Sequence, residues 1–160
     1  MSKKKPIVLF LEDNLLLRDE IGAYLEDEGF RVLGCKDIYE AKSEWKMHKS
    51  SISAIILDIN MSPGGLTDKE KASANDGIFS GWMWLIDYVL VDKEYPLPVD
   101  KVFIVSGYIP NLERHIAGKT ELGCEYFSTL KKKKHLINKG DKKNPMESII
   151  EILKKELDLR

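Results

Sequence analysis

The sequence predicts an α/β fold, with a doubly wound, five-stranded parallel sheet that carries helices on both faces. Strand-like and helix-like patterns alternate five times along the 160 residues. The strand-like segments are continuous apolar runs rich in β-branched residues, as in strands that are covered on both faces. No hairpin signals join them, so we expect each strand to reach the next through a helical crossover. A chain of this length has room for one sizeable core, which predicts a single domain over residues 1–160.

The first half of the chain contains three strand patterns and two helix patterns. We predict strands at 6–12, 30–36 and 53–59, where the sequence reads PIVLFLE, FRVLGCK and SAIILDI. The first helix is expected over 14–28, with Asn14 as its N-cap and Gly29 at its end. The second helix is expected to begin after Asp37, which can cap it, because the apolar positions that follow recur at helical spacing.

The second half begins with residues 61–80, which lose periodicity and read as a long surface loop. The next elements are expected to be a helix at 81–94, a strand at 101–107, a helix at 111–122 and a strand at 125–130. A lysine-rich loop then extends to residue 143. The last helix is predicted to begin at Asn144-Pro145-Met146-Glu147, with Asn144 at the N-cap and Pro145 in the first helical position.

Charge and composition argue against several classes of function. The 25 basic and 26 acidic residues nearly cancel, so the chain as a whole has no charge excess that favours nucleic acid or a membrane surface. The apolar stretch 7–11 is too short for a signal peptide or a membrane span, which predicts a cytoplasmic protein. Cys35 and Cys124 lack metal-ligand spacing and are expected to be buried, reduced thiols.

Polar side chains follow four of the five predicted strands in an order that suggests a site. The first strand ends in Glu12-Asp13, and the third ends in Asp58. Ser106 ends the fourth strand, and Lys131 follows the fifth. Because ligands bind at the carboxyl ends of parallel strands, we expect these side chains to share one edge of the sheet.

The chemistry of these residue types suits a phosphoryl group and a divalent cation. Carboxylates that converge on one edge repel one another and favour a hard cation such as Mg²⁺. We expect Glu12, Asp13, Asp58 and the main-chain carbonyl of Asn60 to form its ligand set. Ser106 and a lysine can contact phosphoryl oxygens, which would allow Asp58 to act as a nucleophile toward phosphorus.

With these residues, the sequence resembles the receiver domain of bacterial two-component response regulators. The resemblance spans nearly the whole chain and lies in the motifs LEDN (11–14), LDINM (57–61), VSGY (105–108) and Lys131. It implies a flavodoxin-like sheet with strand order 2-1-3-4-5. It also implies that Asp58 accepts a phosphoryl group from a histidine kinase or a phosphotransfer protein, with Mg²⁺ held by Glu12, Asp13 and the Asn60 carbonyl. Ser106 and Lys131 would then transmit the phosphorylated state to the fourth helix and fifth strand.

The sequence departs from the family pattern after the third strand. Residues 62–80 are additional to that pattern, and Gly81 is the expected equivalent of the glycine that opens the third helix of the family. A solvated loop is the favoured interpretation of this insertion. It could instead cover the acceptor, contact a partner, or contribute one of its acids to the site: Asp68, Glu70 or Asp76.

A second departure concerns the lysine. The family lysine is usually followed by proline and preceded, three residues earlier, by an aromatic residue, whereas Lys131 has neither neighbour. Lys132 is the alternative, and the aromatic role falls to Phe127 or Tyr126 or is lost. The extended basic loop 131–143 is expected to be a solvated surface, and nucleic acid is an unlikely partner because no aromatic residues are interleaved with the lysines.

Three functional hypotheses follow. The favoured one is a phosphorylation-dependent signalling switch, not a classical enzyme, which promotes at most its own phosphorylation and dephosphorylation and alters a surface that binds a downstream protein. The second is a receiver-like interaction module that is not phosphorylated. The third, an aspartyl-phosphate phosphohydrolase, is disfavoured because Asn60 stands where such enzymes need an acid. A monomer or a weak dimer is expected.

Overall fold

A computed structural model describes residues 3–119, 122–140 and 145–157 of the chain. Its sheet has five strands, all parallel, in the order β2-β1-β3-β4-β5, which confirms the predicted fold class and strand order. The strands are β1 (Ile7–Leu11), β2 (Arg31–Cys35), β3 (Ile52–Leu57), β4 (Val102–Ser106) and β5 (Leu136–Asn138).

Helices connect these strands on both faces. They are α1 (Leu15–Asp27), α2 (Ile38–His48), α3 (Asp68–Ser73), α4 (Ser80–Trp84), α5 (Ile109–Ile116), α6 (Leu122–Lys132) and α7 (Pro145–Glu156). The last turn of α4 continues as a π-helix over Leu85–Leu90, and a 3₁₀ turn at Val99–Lys101 precedes β4. The Asn14 and Asp37 side chains cap α1 and α2 as predicted. The predicted cap Asn144 lies outside the described residues.

Two apolar cores lie on opposite faces of the sheet. Alternate residues of β1 divide between them, because successive side chains of a strand point to opposite faces. Leu9 joins the core beneath α2, α4 and α6, whereas Phe10 joins the core beneath α1 and α7. Both residues are almost completely buried. The continuous apolar composition of the central strands is therefore explained by helices on both sides of the sheet.

The predicted position of the fifth strand is wrong. Residues 125–130 belong to α6, and β5 is the three-residue segment Leu136–Asn138, which pairs in parallel with β4. Tyr, Phe and Thr give 125–130 a strand-like composition, but the buried positions Gly123, Phe127 and Leu130 recur at helical spacing. The lysine-rich stretch is also not a single loop, since its first residues end α6 and its centre forms β5.

The expected helix at 111–122 is shorter and earlier than predicted. It occupies Ile109–Ile116, and Gly118 with φ of +75° separates it from α6. The segment 62–80 also differs from a structureless loop, because it contains helix α3. Thr67 and Glu70 form a capping box at the start of this helix.

None of the described helices has the length and apolar character needed to cross a membrane. Both cysteines are free thiols. Cys35 is buried as expected, and Cys124 is half-buried.

Candidate phosphoacceptor and metal site

The carboxyl ends of β1, β3, β4 and β5 bring the candidate residues to one edge of the sheet. Leu11 pairs with Leu57, so the residues that follow them, Glu12 and Asp58, lie next to each other at the ends of β1 and β3. Ser106 pairs with Asn138, the residue that precedes Lys139. Neighbouring parallel strands therefore deliver two carboxylates, a hydroxyl and an ammonium to the same place.

Asp58 is held from both sides of its carboxylate. It is only 6% exposed. The Ser106 hydroxyl donates a hydrogen bond of 2.6 Å to Oδ1, and the Asn60 N–H donates one of 3.2 Å to the same oxygen. The Lys139 ammonium donates a hydrogen bond of 2.6 Å to Oδ2. The orientation of the carboxylate is therefore fixed by neutral donors on one oxygen and a cation on the other.

Lys139 also binds Glu12, which is 2% exposed. Its Nζ lies 2.6 Å from Glu12 Oε2, and the Asn14 N–H donates to Oε1 over 3.1 Å. Burial raises the pKa of Glu12, and the hydrogen bonds from Lys139 and Asn14 offset only part of that effect. Burial alone would lower the pKa of Lys139, but its hydrogen bonds to Asp58 and Glu12 outweigh burial and raise it.

The structure does not bring Lys131 to the site. Lys131 lies near the end of α6, where its side chain is 61% exposed and forms an ion pair with Glu113. Its alternative, Lys132, is an exposed residue of the same helix. The lysine that directly follows β5 is Lys139, with Gly140 after it and Leu136 three residues before it. Tyr126 and Phe127 lie on α6, so neither occupies the aromatic position that the resemblance implies.

Sequence reasoning missed Lys139 because β5 is short. A strand of three half-buried residues produces almost no periodic signal. The clue in the sequence is the apolar pair Leu136-Ile137, which lies after a turn at Lys134 with φ of +61°. Because Asn and Gly flank Lys139, the segment reads as a turn when the strand itself is not recognised.

Three carboxylates form a group that suits a hard cation. Ligand oxygens of Glu12, Asp13 and Asp58 all lie within 4.8 Å of one another. Asp13 is exposed, whereas the other two are buried, so the group is open toward solvent on one side. Oxygen ligands with an open side match what Mg²⁺ requires, since this ion retains several water molecules. Three residues of the predicted metal set therefore meet, and Asn60, the fourth, contacts Asp58 through its N–H.

Gly81 packs directly against the main chain of Asp58. Its N–H donates a hydrogen bond of 2.8 Å to the Ile59 carbonyl. A Cβ atom at this position would lie 2.0 Å from the Asp58 carbonyl oxygen. Only glycine fits there without displacement of the main chain at Asp58 and Ile59. This contact gives a physical reason for a glycine at the start of the helix that follows the insertion.

The inserted acids lie elsewhere. Glu70 binds Lys42 of α2 at 2.8 Å and accepts a hydrogen bond from the Tyr88 hydroxyl. Burial would raise the pKa of Glu70, but the hydrogen bonds from Lys42, Tyr88 and the Thr67 N–H outweigh it and lower the pKa to about 2. Asp68 and Asp76 are exposed. Among the described residues, the acidic group around Asp58 includes none of these three.

The chain is similar in structure to known proteins, although its sequence matches none of those compared. No protein-family model matches the sequence, and no curated protein matches it. A response regulator receiver domain protein from Clostridium thermocellum aligns over 96% of this chain and 94% of its own, with a TM-score of 0.58 and 14% identity. A response regulator receiver protein from Pseudomonas putida aligns over 96% and 99%, with a TM-score of 0.57 and 19% identity.

A third similar structure is a CheX–CheY–BeF₃–Mg complex from Borrelia burgdorferi. It covers 95% of this chain and 89% of that chain, with a TM-score of 0.52 and 20% identity. The shared features are the five-stranded parallel sheet, its 2-1-3-4-5 order and the helices around it. The chain therefore has the fold of response-regulator receiver domains.

Proposed function

We propose that the protein is a signalling switch controlled by phosphorylation of Asp58. The phosphoryl donor would be the phosphohistidine of a histidine kinase or of a phosphotransfer protein. The observation that carries this proposal is the position of the Asp58 carboxylate, between the Ser106 hydroxyl and the Lys139 ammonium and beside Glu12 and Asp13. This arrangement combines a nucleophile with groups that neutralise the charge of a phosphoryl group.

Glu12, Asp13 and Asp58, together with the Asn60 carbonyl, would hold Mg²⁺. The bound ion would supply charge neutralisation at the phosphoryl oxygens, the main requirement of phosphoryl transfer. The fit rests on three carboxylates whose oxygens lie within 4.8 Å of one another. Two of them are buried with a single lysine as their shared counterion, so a phosphorylated Asp58 would need more positive charge than Lys139 provides.

In the transfer step, an Asp58 carboxylate oxygen attacks phosphorus. The O–P bond forms as the P–N bond to the donor imidazole breaks, and the imidazole leaves with the electron pair of that bond. Lys139 is placed to neutralise a phosphoryl oxygen, because it already binds Asp58 Oδ2. Ser106 would exchange its hydrogen bond to Asp58 for one to a phosphoryl oxygen.

A change at Ser106 would reach the protein surface through two short connections. The Tyr108 N–H donates to Ser106 Oγ over 3.1 Å, and Tyr108 is 39% exposed at the start of α5. The Lys139 N–H donates to the Ser106 carbonyl, which links β5 to the same residue. The surface formed by α5, α6 and β5 is therefore the proposed binding site for a downstream protein.

Solved structures with the same fold support this proposal. One is the CheX–CheY complex that contains BeF₃ and Mg, and another is a beryllofluoride-activated NtrC4 receiver domain dimer. In these proteins the receiver fold occurs with a protein partner or as a dimer. We infer protein partners for this chain as well.

The test is phosphorylation by a small phosphodonor, measured by intact mass. Wild type incubated with phosphoramidate and Mg²⁺ should gain one phosphoryl group, and removal of Mg²⁺ with a chelator should prevent the gain. Asp58→Asn, which preserves the shape of the side chain, should remain unmodified. An unmodified wild type would contradict the proposal and favour a receiver-like module that binds its partner without phosphorylation.

A further inference from the structure

One buried hydroxyl, that of Ser80, connects the two ends of the inserted segment. Ser80 is completely buried at the first position of α4. Its Oγ donates a hydrogen bond of 2.7 Å to the Met61 carbonyl and accepts one of 3.0 Å from the Met61 N–H. A side chain from the end of the insertion therefore satisfies both main-chain groups of Met61, the residue that precedes the insertion.

One of these hydrogen bonds, the one donated by the Met61 N–H, restrains the orientation of a peptide plane next to Asp58. The Met61 N–H belongs to the same planar peptide group as the Asn60 carbonyl. The peptide bonds of the described residues are trans, so this carbonyl points away from the N–H that binds Ser80. The other side of Asn60 is fixed as well, because its own N–H donates to Asp58 Oδ1. The direction of the Asn60 carbonyl is thus determined by contacts on both sides.

We propose that Ser80 is a positioning residue for the metal site, which aims the Asn60 carbonyl at the cation held by Glu12, Asp13 and Asp58. The inference rests on the proposed function, in which this carbonyl is a ligand. It assigns a role to a residue that the strand-end pattern does not reveal, because Ser80 lies 22 residues after Asp58 and at the far end of the insertion.

The role is specific to the hydroxyl of Ser80. Loss of this hydroxyl leaves the buried N–H and the buried carbonyl of Met61 without their hydrogen-bond partner. The Asn60–Met61 peptide group can then rotate so that its N–H finds another acceptor. Groups that orient metal ligands typically contribute about 10- to 100-fold in metal affinity. We therefore expect Ser80→Ala to weaken Mg²⁺ binding by about 10- to 100-fold. It should also expose the Met61 amide to faster hydrogen exchange.

The experiment is an Mg²⁺ titration monitored through the amide NMR signals of residues 13 and 58. The hydrogen-exchange rate of the Met61 amide is measured on the same proteins. Ser80→Cys is the second variant, since a thiol fills similar space and is a weak hydrogen-bonding group. Both variants should bind Mg²⁺ more weakly than wild type. Ser73→Ala makes the same chemical change at an exposed residue of the insertion and should leave Mg²⁺ affinity unchanged.

The outcomes separate this inference from the proposed function. If wild type binds Mg²⁺ and both Ser80→Ala and Ser80→Cys bind it with the affinity of wild type, the inference is overturned and the proposed function is left intact. Reduced stability with unchanged Mg²⁺ affinity assigns Ser80 a structural role only and also overturns it. If Ser80→Ala does not fold, Ser80→Cys decides the question. Wild type that binds no Mg²⁺ overturns the proposed function and this inference together.

Discussion

At the scale of single residues, Lys139 is the residue on which the electrostatics of the site depend most. It is the shared counterion of two buried carboxylates, Glu12 and Asp58. We expect Lys139→Met to destabilise the protein at neutral pH by about 1–3 kcal/mol, because it leaves buried acceptors of charge-assisted hydrogen bonds unpaired. Urea unfolding of the variant beside wild type measures this loss.

The loss should depend on pH with a definite sign. Glu12 already has a raised pKa, and removal of Lys139 raises it further. A raised carboxyl pKa costs stability as pH increases through it, because the folded state then resists ionisation. The destabilisation should therefore be larger at pH 8 than at pH 5. Lys131→Met, which breaks an exposed ion pair, is the control and should cost less than about 1 kcal/mol at either pH. Equal effects of the two variants would contradict this account of the site.

Gly81 gives a second prediction at this scale. Gly81→Ala should lower stability by about 1–3 kcal/mol and slow phosphorylation of Asp58, because its Cβ would overlap the Asp58 carbonyl oxygen. Gly22→Ala is the matched control: Gly22 lies within α1, and its Cβ would only contact Val32 at 3.9 Å. That substitution should raise stability by about 0.5–1 kcal/mol, as expected for a helix interior. Thermal unfolding of both variants is the measurement, and a Gly81→Ala protein as stable as wild type would refute the steric argument.

At the scale of elements, the inserted segment is held by its own set of contacts. Glu70 connects α3 to Lys42 on α2 and to Tyr88 on the π-helical turn, and Gly64 accepts a hydrogen bond from the Tyr39 N–H. Gly65, with φ of +90°, lies against the main chain of Tyr39. These contacts anchor the segment to α2 and to the π-helical turn, so we expect it to retain its fold if Asp58 is modified.

The contacts of Glu70 make this anchoring sensitive to acid. The lowered pKa of about 2 means that the Glu70 carboxylate contributes stability above pH 4.5, and this contribution is lost as pH falls toward 2. The protection factors of the α3 amides, which are exchange rates corrected for the intrinsic effect of pH, should therefore fall in wild type between pH 5 and pH 2.5. Glu70→Gln should show fast exchange at pH 5 already, whereas Asp68→Asn, which removes an exposed charge of the same helix, should resemble wild type. Equal protection of α3 in Glu70→Gln and wild type would contradict the anchoring role.

Elements also explain where prediction from sequence succeeded and where it failed. The long apolar runs of β1, β3 and β4 are unambiguous, so Glu12, Asp13, Asp58 and Ser106 were assigned to the correct sheet edge. The segment 125–130 has strand-forming residues, yet it is part of α6. From this helix Phe127 packs on Trp82, with ring centroids 5.9 Å apart. Tertiary packing thus overrides local propensity, and the short β5 left Lys139 unrecognised.

At the scale of the whole molecule, the double-sided core places the site at a solvent-facing edge. Two apolar layers cover the faces of the sheet, so polar chemistry is confined to the loops at the carboxyl ends of the strands. The strand order could be predicted only through the resemblance, because apolar patterns alone do not specify which strands are neighbours. The three-dimensional arrangement, with β1 between β2 and β3, brings Glu12 beside Asp58.

The most direct test of the central claim is to locate the phosphoryl group on the chain. Borohydride reduction of the phosphorylated protein converts an aspartyl phosphate to homoserine, which peptide mass spectrometry can assign to one residue. We predict homoserine at position 58, formed only when both phosphodonor and Mg²⁺ are present, and strongly reduced in Lys139→Met. Modification at another carboxylate, or the same yield from Asp58→Asn, would contradict the assignment of Asp58 as the phosphoacceptor.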